Sequence, residues 1–290
     1  MTKSADLKDR LSNEPLSRII GAHNPLSARL AEEAGFDGIW ASGFELSAAC
    51  AVPDASIIPM TQHLEMTRAI NAAVGIPVVA DVDTGYGNAV NVIHTVNHYE
   101  AAGAAAIVIE DKQFPKDTSL LDGGRQELLR VEEFTGKIEA AVASRTDPDF
   151  SIIARTEALI AGHGQAEAKR RAEAYVAAGA DAVLVHSKSK TPDEIVEFVS
   201  NWTNPAPVVI VPTAYPQLDE AEIIALEKIK MVIYGNHAIR AAVTAMEKVF
   251  AQIRSDGGIG NVDKEIVPVT RIFELQRVAD MKAQEKRFLR

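Results

Sequence analysis

The stretch Ala102-Gly-Ala-Ala-Ala-Ile-Val-Ile-Glu110 is the part of the chain that most clearly indicates the fold. An Ala-Gly pair leads directly into a run of small and β-branched apolar residues, and the run ends at a carboxylate. Glycine suits the left-handed cap of a helix, so one helix can end there and a strand can begin at once. The same pattern recurs at Ala34-Gly35 and Ala178-Gly179. Strands that are apolar throughout are typical of a parallel sheet covered by helices.

Eight apolar runs predict eight β-strands, and helical patterns lie between them. The predicted strands cover residues 17–22, 38–42, 76–81, 104–110, 151–156, 182–186, 207–212 and 231–235. The predicted helices cover residues 25–33, 63–73, 90–102, 132–144, 165–178, 191–201 and 218–228. Eight alternating units predict an α/β fold of the (β/α)8 TIM-barrel type. A doubly wound parallel sheet is the alternative, because alternation alone does not prove that the sheet closes.

We expect a single domain over residues 1–290, with two connections that are too long for simple turns. They cover residues 43–61 and 111–130, and both leave the carboxyl ends of predicted strands, where barrel enzymes carry their sites. The second is rich in charge and glycine around Asp122-Gly-Gly-Arg125, and we expect it to be a movable lid. A helical extension over residues 241–290 follows the barrel, with helical patterns at 241–254 and 265–286.

The composition argues against several classes of function. Of the 290 residues 47% are apolar, which is enough for a large core. The net charge of −10 argues against nucleic acid and anionic membranes as partners. No run of about 18 apolar residues predicts a membrane span, and the polar N-terminus is unlike a signal peptide. The single cysteine, Cys50, excludes an internal disulfide, suits a cytoplasmic protein and is expected to be a small buried thiol.

Polar and ionisable residues follow the apolar runs at the predicted strand ends. Asp81 and Asp83 close the third strand and Glu110 closes the fourth. Other strands end at His23-Asn24, Ser42-Gly43, Arg155 with Glu157, His186-Ser187, Thr213 and Asn236-His237. Because the carboxyl ends of parallel strands meet at one face, we expect a shared site for a divalent cation and a small anion. Taken singly, each residue has a plainer explanation, such as a helix cap or a structural ion pair.

Several of these motifs also resemble a known family. They are Gly38-Ile-Trp-Ala-Ser-Gly43, Asp81-Val-Asp-Thr-Gly-Tyr-Gly87, Glu110-Asp-Lys-x-Phe-Pro-Lys116, Ala154-Arg-x-Glu157 and Tyr234-Gly-Asn-His237. Together they resemble the phosphoenolpyruvate mutase branch of the isocitrate lyase superfamily, from about residue 17 to the end. The C–C lyases of that superfamily place a cysteine in the loop that here runs from Glu110 to Ser119. This loop has no cysteine, which argues against cleavage of isocitrate or methylisocitrate.

Within that branch the chain is most similar to the phosphonopyruvate hydrolases, which form pyruvate and phosphate by cleaving a C–P bond. Mutases carry Asn two residues after the loop lysine, and this chain has Thr118 there. Mutase activity, the interconversion of phosphonopyruvate and phosphoenolpyruvate, is the first alternative. An oxaloacetate C–C hydrolase and a non-catalytic binding protein are weaker alternatives. A Schiff-base aldolase using Lys188 or Lys190 is weaker still, since both are expected to be solvated.

The resemblance implies a Mg²⁺ site, with Mn²⁺ or Co²⁺ as other possible metals. Asp81 is implied as the direct ligand. Asp83 and Glu110 would bind through water, because Mg²⁺ dehydrates reluctantly. The bound ion would act as a Lewis acid on the pyruvate enolate. Backbone N–H groups near Ser42-Gly43 would add further stabilisation of the oxyanion, since glycine permits close approach.

The remaining implied roles concern the substrate, a small anionic phosphonate of an α-keto acid. Arg155 and His186 would hold its negative charge, the arginine through a planar fork. Lys116 and Thr118 would enter from the lid, and Asp54 would act at the phosphoryl group, either as a nucleophile or as an orienting group. The implied substrate-binding residues also include Trp40, Ser42, Gly43 and Phe44.

The resemblance also implies assembly with other copies of the chain. Barrels of this superfamily are expected to exchange their last helix with a neighbour. The pattern at 265–286 has an apolar face that contains Ile266, Val269, Ile272 and Phe273. We therefore expect a helix-exchanged homodimer, or a homotetramer made of two such dimers.

Overall fold

The computed structural model describes residues 1–121 and 123–290. Asp122, in the predicted lid, lies outside the described residues. The chain forms two compact units, Met1–Ala238 and Ile239–Arg290. The first contains all the strands of the described structure, and the second is helical.

The first unit is a closed barrel of eight parallel strands that follow one another around the barrel in chain order. Ser17 of β1 pairs with Met231 of β8, and this pairing closes the sheet. The strands are β1 (Ser17–Ala22), β2 (Gly38–Ala41), β3 (Val78–Asp81), β4 (Ala106–Glu110), β5 (Ser151–Thr156), β6 (Ala182–Val185), β7 (Val208–Ile210) and β8 (Ile229–Tyr234). The predicted TIM-type barrel is confirmed, and the doubly wound alternative is wrong.

The helices of this unit follow the strands around the outside of the barrel, except the first, which precedes β1. They are α1 (Lys3–Asn13), α2 (Pro25–Glu33), α3 (Gly43–Ala49), α4 (Met60–Ala73), α5 (Ala89–Ala101), α6 (Val131–Ser144), α7 (Gly164–Ala177), α8 (Asp193–Ser200) and α9 (Glu220–Ala225), with a 3-10 turn at Pro212–Ala214. The sequence did not predict α1 or α3. The connection at 43–61 was expected to be a loop, but it contains α3 and the start of α4.

The short helix α1 forms in a segment whose overall composition is polar. The side chain of Thr2 caps it by accepting a hydrogen bond from the backbone N–H of Ala5. Leu7 and Leu11, one turn apart on the same face, are buried with side chains of the barrel interior such as Val209. The two leucines thus anchor the helix in the core, and Lys3 and Arg10 add polar contacts to Asn71 and Asp37.

The core consists of the barrel interior and a shell between the sheet and the helices. Ile19, Val79, Ile153 and Leu184 belong to the interior cluster, and all four are buried. Outward-facing residues of the same strands, such as Ile152, pack instead against the surrounding helices. This double burial explains why the strands are apolar throughout and were recognisable in the sequence.

The second unit consists mainly of three helices. They are α10 (His237–Asp256), which begins two residues before the unit does, α11 (Val269–Leu275) and α12 (Val278–Phe288). The single helix predicted at 265–286 is wrong, because the chain breaks at Arg277. This residue adopts a left-handed φ of 55° between α11 and α12.

Among the described helices, none is both long enough and apolar enough to cross a membrane. The expectation for Cys50 is wrong, because its side chain is exposed. Cys50 directly follows α3, and its Sγ accepts a hydrogen bond from Nε2 of Gln62 at 3.1 Å.

Candidate active site

The carboxyl ends of the strands form a polar cavity that contains most of the predicted site residues. The cavity is lined by Trp40, Ser42, Phe44, Asp54, Asp81, Lys116, Thr118, Ser119, Leu120, Arg155, His186, Val211, Thr213, Gly235 and Asn236. Asp83, Glu110 and Gly43 lie next to these residues, through contacts with Lys116, Arg155 and Asp81 respectively. The structure therefore brings all the predicted catalytic, substrate and metal residues to one place.

A larger cavity lies at the opposite end of the barrel, where the strands begin. It measures about 440 Å³ and is lined by residues such as Lys8, Ser151, Asp181 and Lys228. None of the predicted site residues lies there, so cavity size alone would indicate the wrong end of the barrel.

One side of the polar cavity is acidic and is organised around Lys116. The Nζ of Lys116 lies 2.7 Å from Oδ1 of Asp83 and 3.2 Å from Oδ1 of Asp54. Asp83 reaches this position from a left-handed backbone conformation with a φ of 50°, just after β3. Lys116 is almost fully buried, so the part of the chain around it packs against the strand ends. Lys116 thus joins the segment after β4 to Asp54 in the first long connection and to Asp83 after β3.

Burial and mutual repulsion control the ionisation of this acidic side. Burial raises the pKa of Asp54, Asp81 and Asp83, and the charge of Lys116 opposes that rise. Burial alone would lower the pKa of Lys116. Asp83 and Asp54 outweigh that effect and hold the pKa of Lys116 well above its ordinary value. The lysine is therefore a permanent cation among carboxylates that repel one another.

The acidic side has the chemistry to hold a hydrated divalent cation. Both carboxylate oxygens of Glu110 are buried and have no hydrogen-bond partner in the described structure. Among the described residues, the cations beside the carboxylates of Asp54, Asp81, Asp83 and Glu110 are Lys116 and Arg155, and Arg155 also pairs with Glu157, so carboxylates outnumber cations here. Hard oxygen ligands with excess negative charge suit Mg²⁺.

The protein alone offers few direct ligands to a metal ion. Within the described residues, no three His, Cys, Asp or Glu side chains are grouped closely enough to hold one ion by themselves. Mg²⁺ commonly keeps several waters and binds through one or two carboxylates together with substrate oxygens. The residues present fit that mode of binding.

Gly43 makes room for the acidic side at the end of β2. Its N–H donates to Oδ2 of Asp81 at 3.3 Å. A Cβ atom at this position would lie 3.3 Å from Oδ2 of Asp81 and 3.3 Å from Oδ1 of Asp83. The close approach predicted for this glycine is therefore present, and in this structure its N–H points at a carboxylate.

The other side of the cavity is organised around Arg155. Its Nε donates to Oε1 of Glu157, and its Nη2 donates to Oγ of Ser119 at 3.0 Å. The same Nη2 lies 2.8 Å from Nδ1 of His186. Burial alone would lower the pKa of Arg155, but Glu157 and Glu110 outweigh it and raise that pKa. The guanidinium is therefore a fixed cation held in one orientation.

His186 adds an adjustable group next to this fixed cation. Burial lowers the pKa of His186, although Glu157 opposes the shift. Its Nδ1 contacts Arg155 and also Oε1 of Glu157 at 3.1 Å. Its Nε2 is buried and has no hydrogen-bond partner among the described residues. An imidazole nitrogen at the cavity wall is thus left for a ligand.

Sequence reasoning did not assign site roles to Ser119, Lys112 or Glu157. The Oγ of Ser119 donates to Oε2 of Glu157 at 2.7 Å and accepts from Nζ of Lys112 at 2.7 Å. Lys112 also donates to the backbone carbonyl of Asp117 at 2.8 Å. Both Lys112 and Ser119 lie in the stretch 110–119, so their position in that motif was the available signal. Glu157 had been counted among the strand-end residues and as a possible ion-pair partner of Arg155, without a role of its own.

Some strand-end residues have other roles. Asn24 caps α2, with its side chain accepting from the N–H of Ser27 at 2.8 Å. His23 pairs with Glu45 through Nδ1 at 3.0 Å. Neither lines the cavity, whereas Thr213 and Asn236 do.

The chain is similar to several characterised proteins. A phosphonopyruvate hydrolase from Variovorax sp. (strain Pal2) is 62% identical, and the match covers 100% of both chains. The crystal structure of phosphonopyruvate hydrolase with oxalate and Mg²⁺ superposes with a TM-score of 0.96 at 60% identity, over 100% of both chains. That of a phosphoenolpyruvate phosphomutase from Streptomyces platensis subsp. rosaceus gives a TM-score of 0.97 at 52% identity, over 99% of both.

The family model for phosphoenolpyruvate phosphomutase matches residues 7–254, which include the whole barrel and every residue of the polar cavity. The motifs at the strand ends, the closed barrel and the cavity that they line are all contained in this match. The chain therefore belongs to the phosphoenolpyruvate phosphomutase family.

Proposed function

We propose that this protein is a divalent-metal-dependent hydrolase that cleaves the C–P bond of phosphonopyruvate to give pyruvate and inorganic phosphate. The observation that carries the proposal is the division of the cavity into a cationic side around Arg155 and an acidic side that Lys116 bridges. A highly charged phosphonate of a keto acid needs the cationic side to bind its negative charge and the acidic side to hold the metal ion. The high identity to a phosphonopyruvate hydrolase along the full chain supports the same reaction.

Arg155 and His186 are proposed to bind the anionic substrate. In the described structure Nε of Arg155 donates to Glu157, and Nη2 contacts both Ser119 and His186, which leaves the N–H groups of Nη1, held in a fixed plane, for the substrate. A fixed fork binds a carboxylate or phosphonate with little reorganisation. The Nε2 of His186 is proposed to complete this anion site, with Trp40, Ser42, Gly43 and Phe44 as its walls.

Lys116, Asp54 and Thr118 are proposed to act at the phosphoryl group. Breaking the C–P bond leaves the electron pair on carbon, as the enolate of pyruvate, and passes the phosphoryl group toward water. Lys116 would neutralise charge on the phosphoryl group. Asp54, whose Oδ1 lies 3.2 Å from Nζ of Lys116, would reach the same group. The Thr118 hydroxyl both donates and accepts hydrogen bonds, so it is suited to orient one water.

Mg²⁺ is the proposed metal, with Mn²⁺ and Co²⁺ as alternatives. Asp81 is the proposed direct ligand, and Asp83 and Glu110 are proposed to bind through water. When bound, the ion would supply Lewis-acid stabilisation of the substrate's carboxylate and keto oxygens. The chain itself contributes the negative field that attracts the ion, since the carboxylates outnumber the cations.

The phosphomutase reaction is the second candidate, since a mutase superposes on this chain as well as a hydrolase does. A ³¹P NMR spectrum of the products distinguishes inorganic phosphate from phosphoenolpyruvate. A parallel assay with oxaloacetate tests for a C–C hydrolase. Turnover of oxaloacetate without turnover of phosphonopyruvate would reject the proposal.

Loss of the proposed metal ligand should abolish activity. Asp81→Ala removes the carboxylate that lies between Gly43 and Asp83, so we expect kcat/KM to fall by at least about 10³-fold, the scale for losing a charged transition-state contact. The wild type should lose activity in excess EDTA and regain it with Mg²⁺. Asp9→Ala, at an exposed residue of α1, is the matched control. Full activity of Asp81→Ala, or of wild type in EDTA, would contradict the metal proposal.

The arginine fork should not be replaceable by another cation. Arg155→Lys keeps the charge but loses the planar donors that hold Glu157, Ser119 and the substrate, so we expect kcat/KM to fall by about 10²-fold or more. Arg170→Lys, which changes an exposed arginine on α7 paired with Glu167, should leave kcat/KM within about twofold. An Arg155→Lys enzyme within threefold of wild type would show that Arg155 is structural only.

Thr118, two residues after Lys116, should control where the phosphoryl group goes. Thr118→Asn is expected to slow phosphate release by at least about tenfold, because at least one hydrogen bond that orients the water is lost. It is also expected to let phosphoenolpyruvate appear in the ³¹P spectrum. Thr118→Ser keeps the hydroxyl and should retain hydrolysis. If Thr118→Asn hydrolyses phosphonopyruvate as fast as wild type, Thr118 does not position the water.

We also propose a cytoplasmic homodimer or homotetramer formed by exchange of C-terminal helices. Exposed apolar side chains of residues 239–290, including Phe250, Val269 and Phe273, favour contact with another copy. Light scattering should give a multiple of 31.2 kDa at micromolar concentration. Phe250→Glu should lower the measured mass, while Gln252→Glu on the same helix should not. A monomer mass for the wild type would exclude this assembly.

A further inference from the structure

A buried chain of hydrogen bonds runs beneath the acidic side of the cavity and ends on the backbone of β2. Nε2 of His63, in the first turn of α4, lies 3.2 Å from the carbonyl oxygen of Ala41. Its Nδ1 lies 2.8 Å from the hydroxyl of Tyr99, which lies 3.2 Å from the hydroxyl of Tyr86. His63 and Tyr99 are both buried, and neither lines the cavity.

The chemistry of the partners fixes the direction of every bond in this chain. The Ala41 carbonyl can only accept, so Nε2 of His63 must carry a proton. Burial lowers the pKa of His63 to about 4, so the ring is neutral near pH 7 and Nδ1 has no proton. Tyr99 must then donate to Nδ1, and Tyr86 must donate to the oxygen of Tyr99.

No other neighbour reverses this order. The Oγ1 of Thr67 donates to the backbone carbonyl of His63 at 2.9 Å, and it lies 3.4 Å from Nδ1. The opposite tautomer would set the lone pair of Nε2 against the lone pairs of the Ala41 carbonyl. It would therefore replace a hydrogen bond by a repulsive contact inside the protein.

The hydrogen-bond chain ends at Ala41, close to the proposed catalytic groups. β2 ends at Ala41 and α3 begins at Gly43, so Ser42 is the only residue between them. The hydroxyl of Ser42 donates to the carbonyl of Gly235 at 3.3 Å, and the N–H of Gly43 donates to Oδ2 of Asp81. The Ala41 carbonyl and the Ser42 nitrogen belong to one planar peptide, so a hydrogen bond to that carbonyl orients the segment.

We propose that His63 and Tyr99 are positioning residues for the active site. Tyr99 holds His63 in its Nε2–H tautomer, and His63 holds the Ala41–Ser42 peptide so that the N–H of Gly43 faces Asp81. The orientation of the proposed metal ligand thus depends on two side chains in α4 and α5 that line no part of the cavity. The kinetic consequence rests on the proposed function, whereas the tautomer does not.

The tautomer is tested directly by ¹⁵N NMR of the imidazole nitrogens, with the His63 signals identified by their loss in His63→Gln. In the wild type we expect a protonated Nε2 and an unprotonated Nδ1. Tyr99→Phe removes the donor to Nδ1 and should give a mixture of tautomers. Tyr215→Phe is the control, because Tyr215 is also buried and its hydroxyl has no partner in the described structure. A wild-type signal from the Nδ1–H tautomer would overturn the proposal.

A pair of His63 variants tests whether the bond to Ala41 serves the site. Gln can present an amide N–H to the Ala41 carbonyl, whereas Leu of similar size cannot. We expect kcat/KM of His63→Leu to be about fivefold below that of His63→Gln, the scale of one neutral hydrogen bond. If phosphonopyruvate is not turned over, affinity for oxalate with Mg²⁺ replaces kcat/KM. Equal values for the two variants, or losses that only follow the fraction of folded protein, would assign His63 a structural role alone.

Discussion

The anion-binding side of the cavity depends on the buried carboxylate of Glu157. It accepts hydrogen bonds from Nε of Arg155 and from Oγ of Ser119, and Nζ of Lys112 lies 3.6 Å away. Burial alone would raise the pKa of Glu157. Arg155 and His186 outweigh that effect and hold the pKa well below its usual range. Isolated charges inside a protein are very unfavourable, so the ionised Glu157 favours the burial of the two cations beside it, Arg155 and Lys112.

This single carboxylate has consequences for the lid as well as for the barrel. Ser119 belongs to the segment 111–130, and its hydroxyl is saturated by Glu157, Lys112 and Arg155. The carboxylate that orients the arginine is therefore also the group that holds Ser119, so the segment after β4 and the anion-binding side share one anchor.

The two sides of the cavity carry opposite charge, and this explains why a cation and an anion are expected together. The acidic side alone would repel a phosphonate, while the side around Arg155 attracts it. A divalent ion compensates the excess of carboxylates and gives the anion a second point of attachment. The formal charge of −10 thus says little about the ligand, since the local field at the strand ends has both signs.

The barrel and its polar mouth were predictable from sequence because both depend on local pattern. Strands buried on both faces are apolar throughout, so β1 and β5 were placed with their observed bounds. The helices α1 and α3 were not predicted, since each depends on a few contacts with the barrel that composition does not reveal. Cys50 was misplaced for the same reason, because the short helix that carries it to the surface was not recognised.

The site was predictable residue by residue but not as a network. Asp81, Glu110, Arg155 and His186 follow strands and could be assigned from their position alone. Ser119 and Lys112 both act through Glu157, which is 38 residues from Ser119 and further from Lys112, and no local pattern encodes those contacts. The chain from Tyr86 to Ala41 likewise joins α4, α5 and β2, and only the folded structure brings these together.

These contacts also bear on how one fold serves different reactions of the same substrate. The backbone on both sides of Thr118 is held by Lys112, which binds the carbonyl of Asp117 and the hydroxyl of Ser119. Contacts of its two neighbours therefore constrain the position of residue 118. A hydrolase and a mutase structure both superpose on this chain almost completely, so the overall backbone does not distinguish the two reactions. The difference is to be sought in side chains and local geometry, for which residue 118 is the proposed position.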